Sequence, residues 1–108
     1  MERNKQIEIK IYLKNIDKYN KESLWHLILE RVKNSNLGGA TIYKAVAGVG
    51  HSKKIHTFDI LNLSQDIPLV IEIIDNKDKI DYFLKNNRDL LSKTFITLKQ
   101  IEIVNYLG

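Results

Sequence analysis

The spacing of apolar residues changes along this chain in a set order, and this order restricts the fold more than any short motif does. Between Ile7 and Leu13 every second residue is apolar, which is typical of a half-buried β-strand. From about Ser23 to Val32 apolar residues recur every three or four positions, so we expect an amphipathic helix with Ser23 as its N-cap. A strand followed by a helix is therefore the first predicted unit.

Three further segments continue the pattern. The stretch ATIYKAVAG, residues 40–48, favours a second strand, and the apolar run PLVIEII that starts at Pro68 favours a third. Asp75 or Asn76 is expected to cap a second helix. The apolar face of this helix is formed by Ile80, Phe83, Leu84 and Leu91.

The last strand is expected from about Ile96 to Asn105, and its apolar parity shifts between Leu98 and Ile101, which indicates a bulge or a ragged edge. The element order is therefore βαββαβ within a single domain, residues 1–108. This order predicts an α+β, ferredoxin-like fold, in which a four-stranded antiparallel sheet carries two helices on one face. Because such strands leave the other face partly apolar, we expect copies of the same chain to cover it.

Composition narrows the functional class. The chain has no cysteine, which excludes disulfides, thiolate zinc sites and a cysteine nucleophile. Seventeen Lys and Arg against thirteen Asp and Glu give a net charge of +4, and the two signs are interleaved. This balance suits small anions and disfavours a dedicated nucleic-acid surface. Because neither a signal peptide nor a bilayer-length apolar run is present, we expect a cytoplasmic protein that does not insert into membranes.

The loop AVAGVGHSKKIHT, residues 45–57, combines glycines with cations and hydroxyls. Glycines let the backbone approach a bound group closely, and successive amides can form an anion-binding nest. Phosphate-binding candidates are therefore the backbone at Gly48 and Gly50, the charges of Lys53 and Lys54, and the hydroxyl of Ser52 or Thr57. A structural turn is the alternative interpretation, and from composition alone it is the more frequent one.

Other chemistries have weaker support. His51 and His56, with Asp59 nearby, offer too few ligands for a stable metal site. The sequence lacks hydrolase, zinc-protease and Walker motifs, and its carboxylates are scattered. We therefore predict no catalytic residues, no metal site and no required cofactor. The first two strands hold only isolated tyrosines, without the aromatic–basic pattern of an RNA-recognition domain.

Four segments, IKIYL, GGATIYKAVAGVG, KIHT and DIPLVIEIID, occur in an order that closely resembles a family of short prokaryotic proteins similar to the PII signal-transduction proteins. The resemblance runs from about Ile9 to Tyr106. It implies a ferredoxin-like fold, a compact homotrimer and a signalling loop, the T-loop, equivalent to residues 48–66. It also matches Gly48, Val49 and Gly50 to the base of that loop and His56 and Thr57 to a His-Thr pair. These residues, with His51, Lys53 and Lys54, are therefore the expected ligand-binding residues of the loop. In PII proteins the base of this loop binds adenine nucleotides in clefts between subunits, and its conformation selects a protein target such as a membrane transporter or an enzyme.

The chain departs from this family at several positions. Relatives have an arginine-glycine pair and a phenylalanine where this chain has Lys44, Ala45 and Val49, and the loop lacks a tyrosine that could be modified. The second phosphate-binding loop is reduced to SKTF, where Lys93 is the remaining phosphate contact.

We therefore expect a trimeric regulatory protein whose effector is an adenine nucleotide or another small anion. The alternatives are a small RNA-binding ferredoxin-like module and a small enzyme acting on a phosphorylated metabolite, with His51 or His56 as its base.

Overall fold

The computed structural model describes residues 1–49, 55–57 and 66–107. Its strands are β1 (Glu2–Lys14), β2 (Lys18–Tyr19), β3 (Glu22–Ser23), β4 (Thr41–Lys44), β5 (Ala47–Val49), β6 (Ile55–Thr57), β7 (Pro68–Asp75) and β8 (Phe95–Asn105). Its helices are α1 (Leu24–Lys33), α2 (Lys77–Asn86) and α3 (Arg88–Leu91).

The main sheet has four antiparallel strands in the order β4–β7–β1–β8. The first and last of its strands along the chain, β1 and β8, are neighbours, and β7 lies between β1 and β4. This is the connectivity of the ferredoxin-like fold, so the predicted α+β class is confirmed. Two short hairpins, β2–β3 and β5–β6, form separate two-stranded sheets.

One face of the sheet carries the core. Residues at odd positions of β1 and β7 pair across the two strands on this face: Ile9 with Ile73, Ile11 with Ile71, and Leu13 with Leu69. All six are buried, because the helices pack over them. The helices contribute Leu24, Ile28 and Val32 from α1, Ile80 and Phe83 from α2, and Leu90 and Leu91 from α3.

The opposite face of the sheet, which we call the open face, carries the even positions of β1 and β7 and the odd positions of β8. In the single chain it is only partly covered, since Tyr12 and Phe95 are exposed on it. Within the described ranges, no helix combines the length and apolar character that a membrane crossing needs.

The predicted helix start is correct for α2 and only partly correct for α1. Asn76 accepts a hydrogen bond from the backbone N–H of Lys79 (2.9 Å), so it caps α2 as expected. Ser23 occupies the N-cap of α1, but its side chain makes no capping hydrogen bond. Ser23 also belongs to β3, which pairs with β2, and its φ and ψ are −63° and 118°.

Three predicted elements differ from the structure in their detail. The second helical segment is interrupted at Asn87, so that α2 and α3 are separate. The predicted strand 40–48 is divided into β4 and β5, because Ala45 donates its N–H to the Pro68 carbonyl (2.8 Å) where the chain leaves the sheet. The predicted bulge in the last strand is wrong, since β8 pairs with β1 in continuous register from Phe95 to Asn105.

Candidate functional site

Residues 45–67 are inserted between β4 and β7 at one end of the sheet. At this end β4 finishes at Lys44 and β7 starts at Pro68. The hydrogen bond from the Ala45 N–H to the Pro68 carbonyl holds the two ends of the inserted segment together. The inserted segment therefore leaves the sheet and returns to it at adjacent positions.

The returning end is also tied to the end of β1. Asn15 donates its backbone N–H to the Ile67 carbonyl (3.0 Å), and its side-chain oxygen accepts from the Ile67 N–H (2.7 Å). Asp17 accepts from the backbone N–H of Lys14 (2.9 Å), which stabilises the turn that presents Asn15. The Lys14 ammonium also lies 4.0 Å from the Asp66 carboxylate. Two elements of the body therefore fix the base of the segment.

The described part of the segment is a short hairpin, β5–β6, which we call the stem. Its register pairs Ala47 with Thr57, Gly48 with His56 and Val49 with Ile55. The stem is hydrogen-bonded as its own two-stranded sheet rather than as an extension of the main one. Its exposed Val49 and Ile55 project away from the core.

The structure brings four of the predicted site residues together in the stem. Gly48 and Val49 lie on one strand, and His56 and Thr57 lie on the other, so the two sequence motifs meet by strand pairing. Gly50, His51, Ser52, Lys53 and Lys54 lie outside the described residues, as does the remainder of the T-loop equivalent from 58 to 65. The ligand-binding roles of all nine remain predictions.

Lys93 lies at the opposite edge of the sheet from the stem. It occupies the turn between α3 and β8, which closes through hydrogen bonds from the N–H and hydroxyl of Thr94 to the Leu91 carbonyl (3.0 and 2.8 Å). Because β4 and β8 are the two outer strands, three strand spacings, about 14 Å, separate them. The sheet of one chain therefore does not bring Lys93 next to the stem.

Sequence reasoning missed a cluster of aromatic residues on the open face. Tyr12 of β1 and Phe95 of β8 are register partners, with ring centroids 5.7 Å apart. The description of the strand tyrosines as isolated is therefore wrong for Tyr12. A shallow depression beside this pair is lined by Lys10, Tyr12, Tyr43, Val70 and Glu72. Tyr12 occupies an even position of β1, and this alternation is the sequence signal for the cluster. The partner of Tyr12 on β8 cannot be identified from the sequence, because it depends on strand register.

Charges on the open face balance. Glu8 lies 3.8 Å from the Lys10 ammonium and 3.7 Å from the Lys99 ammonium, and Glu72 is the register partner of Lys10. Among the residues that the structure describes, no group of three His, Asp or Glu side chains is placed to hold a metal ion. The open face is therefore a mixed apolar and charge-paired surface.

Shifted pKa values occur away from this end, where α1 meets α3. Arg31 donates to both carboxylate oxygens of Asp89 (3.2 and 2.9 Å) and to the side-chain oxygen of Asn87 (2.9 Å). The hydrogen bonds from Arg31 lower the pKa of Asp89, and those to Asp89 raise the pKa of Arg31. This group links two helices and contacts none of the predicted ligand-binding residues that the structure describes.

Comparison with known proteins gives a family and a fold. The family model DUF190, described as Uncharacterized ACR, matches residues 6–103. A UPF0166 protein of Aquifex aeolicus (strain VF5) is 31% identical over 96 residues, covering 89% of this chain and 90% of the relative. A UPF0166 protein of Methanocaldococcus jannaschii is 36% identical over 76 residues, covering 70% and 69%.

A solved structure shares the fold over nearly the whole chain. CPII, a nitrogen regulatory PII-like protein from Thiomonas intermedia K12 bound to ADP, AMP and bicarbonate, superimposes with a TM-score of 0.70 at 9% sequence identity. The superposition covers 96% of this chain and 100% of CPII. At this identity the likeness establishes a common fold, and ligand recognition has to be argued separately.

Proposed function

This chain belongs to the DUF190 family, and from that membership and its PII-like fold we propose that it is a trimeric regulatory protein. It binds a small anionic ligand, with an adenine nucleotide as the first candidate, in clefts between copies. It then signals to a protein target through residues 48–66. The chain acts as a sensor and carries out no catalysis.

The single observation that carries this proposal is the construction of the inserted segment. Its base is held by Ala45, Asn15 and Ile67, while its stem forms a separate sheet. A loop attached in this way can change direction without altering the strand pairs beneath it. This is what a segment needs if it is to report ligand binding to a partner.

The choice of ligand class is supported by the chemistry of the site and by a fold neighbour. Gly48 offers a backbone that a ligand can approach closely, and Lys53, Lys54 and Lys93 supply positive charge. CPII, which shares the fold, is bound to ADP, AMP and bicarbonate. A phosphate or carboxylate group is therefore the common element we expect in the ligand.

The positions of the stem and of Lys93 support a binding cleft between copies. The stem follows the end of β4 and Lys93 precedes the start of β8, and these two outer strands are about 14 Å apart across the sheet. In a closed ring, each copy contacts its two neighbours through different parts of its surface. A ligand can then contact the stem of one copy and Lys93 of its neighbour.

Signalling requires the ligand to prefer one arrangement of the loop over another. A ligand with equal affinity for both arrangements shifts nothing, however tightly it binds. Allosteric couplings are typically about 1–3 kcal/mol, or roughly 5- to 150-fold in affinity. By linkage, the protein target then strengthens ligand binding by the same factor.

An RNA-binding role is the second candidate, and the open face supplies the observation for it. Tyr12, Tyr43 and Phe95 are exposed there, and aromatic side chains of this kind stack on bases. However, Glu8 and Glu72 lie on the same face and offset its lysines. RNA binding would show a steep salt dependence and no stabilisation by small molecules.

Native mass spectrometry combined with a thermal-shift panel tests the proposal. The panel contains ADP, AMP, ATP, bicarbonate and inorganic phosphate, and each nucleotide is also checked for turnover. We expect a trimer whose unfolding temperature rises with at least one adenine nucleotide. A monomer that ignores every nucleotide would contradict the proposal, and nucleotide turnover would favour the enzyme alternative.

Two pairs of variants locate the ligand. Gly48→Leu is expected to leave the trimer intact and abolish the nucleotide shift, whereas Val46→Leu, just outside the stem, retains it. Lys93→Ala is expected to weaken nucleotide binding about tenfold, the usual effect of losing one charge-assisted contact. Its control is Lys85→Ala on α2, which removes an exposed lysine from another surface. If the two variants of either pair changed nucleotide binding equally, the ligand would bind elsewhere.

A further inference from the structure

The sheet continues as a two-stranded extension beyond the end of β7. Asp75, the last residue of β7, pairs with Ile7. Within the described residues, 2–6 of β1 and 101–105 of β8 lie beyond that point and pair only with each other. We call these ten residues the arm. Five residue pairs at about 3.4 Å each carry the arm roughly 17 Å past the body of the sheet.

The two sides of the arm differ in composition. On one side Ile101 pairs with Gln6 and Ile103 pairs with Asn4. On the other side Val104 pairs with Arg3, and Glu102 pairs with Lys5. By strand alternation the Ile101–Ile103 side continues the open face, whereas the Val104 side continues the helix-covered face. The parity shift between Leu98 and Ile101 in the sequence reflects this difference. Ile96 and Leu98 of β8 lie on the helix-covered face, whereas Ile101 and Ile103 lie on the side of the open face, where the strand extends past the core.

We infer that the Ile101–Ile103 side of the arm packs against a second copy of this chain and forms the outer part of the interface on the open face. The inference rests on the proposed function in that it takes the open face to be buried between copies. A neighbour seated on the open face meets the arm as well, because the arm prolongs the same surface.

The stability of the arm supports this occupant. An isolated two-stranded ribbon is marginal in water, since neither strand has a layer to pack against. Here Ile103 and Val104 are 37% and 46% exposed at the far end of the arm. An uncovered apolar strand edge of this length is also an aggregation hazard. Contact with a second copy would cover the Ile103 side and give the ribbon a layer to pack against.

The charges of the arm point to a protein surface. Its charged side chains are Glu2, Arg3, Lys5 and Glu102, two of each sign. A nucleic acid or an anionic membrane would be bound by an excess of Lys and Arg, which the arm lacks. The open face of a second copy has matching chemistry, since Tyr12, Val70 and Phe95 offer apolar area among paired charges.

The arm also enlarges the surface that the open face offers to a neighbour. Four strands at about 4.8 Å spacing and eight residues of β7 give the face a footprint of at most roughly 500 Å². A stable interface buries about 800 Å² on each partner, and a ring divides the face between two neighbours. The arm adds roughly 170 Å² from its two strands of five residues. The arm therefore enlarges the footprint available to a neighbour by about a third, toward the size of a stable interface.

Substitutions on the two sides of the arm test the inference by native mass spectrometry and light scattering. Ile103→Lys places a charge on the proposed contact. Val104→Lys makes the same substitution at the next residue, whose side chain lies on the opposite side of the arm. We expect Ile103→Lys to weaken self-association about tenfold or more, because a buried unpaired charge is costly. Val104→Lys is expected to associate as the unsubstituted chain does.

Ile103→Thr is the second variant, because threonine favours strands and keeps the arm formed while reducing its apolar area. Circular dichroism confirms that each variant is folded. Trimers for both Ile103 variants, or equal dissociation by Val104→Lys, would overturn the inference while leaving the proposed function intact. An unsubstituted chain that is monomeric would overturn both. Dissociation by Ile103→Lys in a protein that ignores nucleotides would support the arm and contradict only the proposed ligand.

Discussion

At the scale of single residues, Asn87 shows how a side chain can join elements that are distant in sequence. It is 8% exposed at the break between α2 and α3. Its amide donates to the Phe83 carbonyl (2.8 Å), and its oxygen accepts from Arg31 of α1 (2.9 Å). Both polar groups are therefore satisfied although the residue is buried, which is the condition for a buried amide to stabilise a fold.

Replacing Asn87 with alanine should lower the free energy of unfolding by about 1–2 kcal/mol, because the Phe83 carbonyl and Arg31 both lose a partner. Asn86→Ala is the control. Asn86 also donates to a carbonyl, that of Tyr82, but it is exposed, so its loss should change stability by less than about 0.5 kcal/mol. Urea denaturation of both variants measures the difference, and equal costs would contradict the role given to Asn87.

The Arg31–Asp89 pair leads to a prediction about pH. Hydrogen bonds from Arg31 hold the pKa of Asp89 below its usual 3.8 in the folded chain. The stability that the pair contributes is therefore present above the unfolded pKa of Asp, about 3.9, and is lost as the pH falls through the lower folded value. Hydrogen bonding to Asp89 raises the pKa of Arg31 above its usual value, so Arg31 stays charged throughout this pH range.

Asp89→Asn should accordingly reduce stability by a constant amount between about pH 5 and 8 and by a diminishing amount below about pH 4. The total effect should be small, because the pair is exposed to solvent and screened by salt. Urea midpoints of the two proteins across this pH range measure the difference. A gap that widens in acid would show that the carboxylate is not stabilised by folding.

At the scale of secondary-structure elements, the two long helices begin differently. Asn76 caps α2 through the Lys79 N–H, and Asp78 in the first turn adds a favourable charge at the positive end of the helix. At α1, the hydroxyl of Ser23 is buried and, within the described part of the chain, lacks a hydrogen-bond partner. Strand pairing in the β2–β3 hairpin determines how α1 starts, and side-chain capping does not contribute.

The two caps should therefore respond in opposite ways to the same substitution. Asn76→Ala should cost about 1 kcal/mol of stability, the usual value for a lost cap. Ser23→Ala should be neutral or stabilising, because it removes a buried unsatisfied hydroxyl that makes no capping hydrogen bond. Thermal and urea unfolding of both variants checks this, and a loss of 1 kcal/mol or more at Ser23 would reveal a partner for its hydroxyl.

At the scale of the whole molecule, the two faces of the sheet differ in burial, and adjacent residues of β7 lie on opposite faces. Ile71 is fully buried under the helices, whereas Val70 lies on the open face beside Tyr43. Ile71 therefore stabilises the fold of one chain, and we assign Val70 to the contact between chains.

Ile71→Ala should destabilise each chain by about 2–5 kcal/mol, the range for cavities in a well-packed core. Val70→Lys should leave the chain folded but shift the assembly toward monomers. Native mass spectrometry and urea unfolding of both variants separate the two effects. If Val70→Lys left a trimer unchanged, the open face would not be the contact between copies.

The sequence alone determined the features that depend on local periodicity and local chemistry. The order βαββαβ, the α2 cap at Asn76, the strand start at Pro68 and the loop between the second and third core strands all follow from spacing and residue type. Such features can be read locally because each side chain's direction is set by the backbone of its own element.

Only the tertiary structure decided how distant segments meet. The Arg31–Asn87 link spans 56 residues, and the Tyr12–Phe95 pair and the arm depend on β1 lying beside β8 in one register. The separation of Lys93 from the stem likewise follows from the strand order. Register and strand order result from packing the whole core at once, and a shift of one residue would turn every side chain of a strand to the other face. Local spacing therefore does not predict which register and strand order the chain adopts.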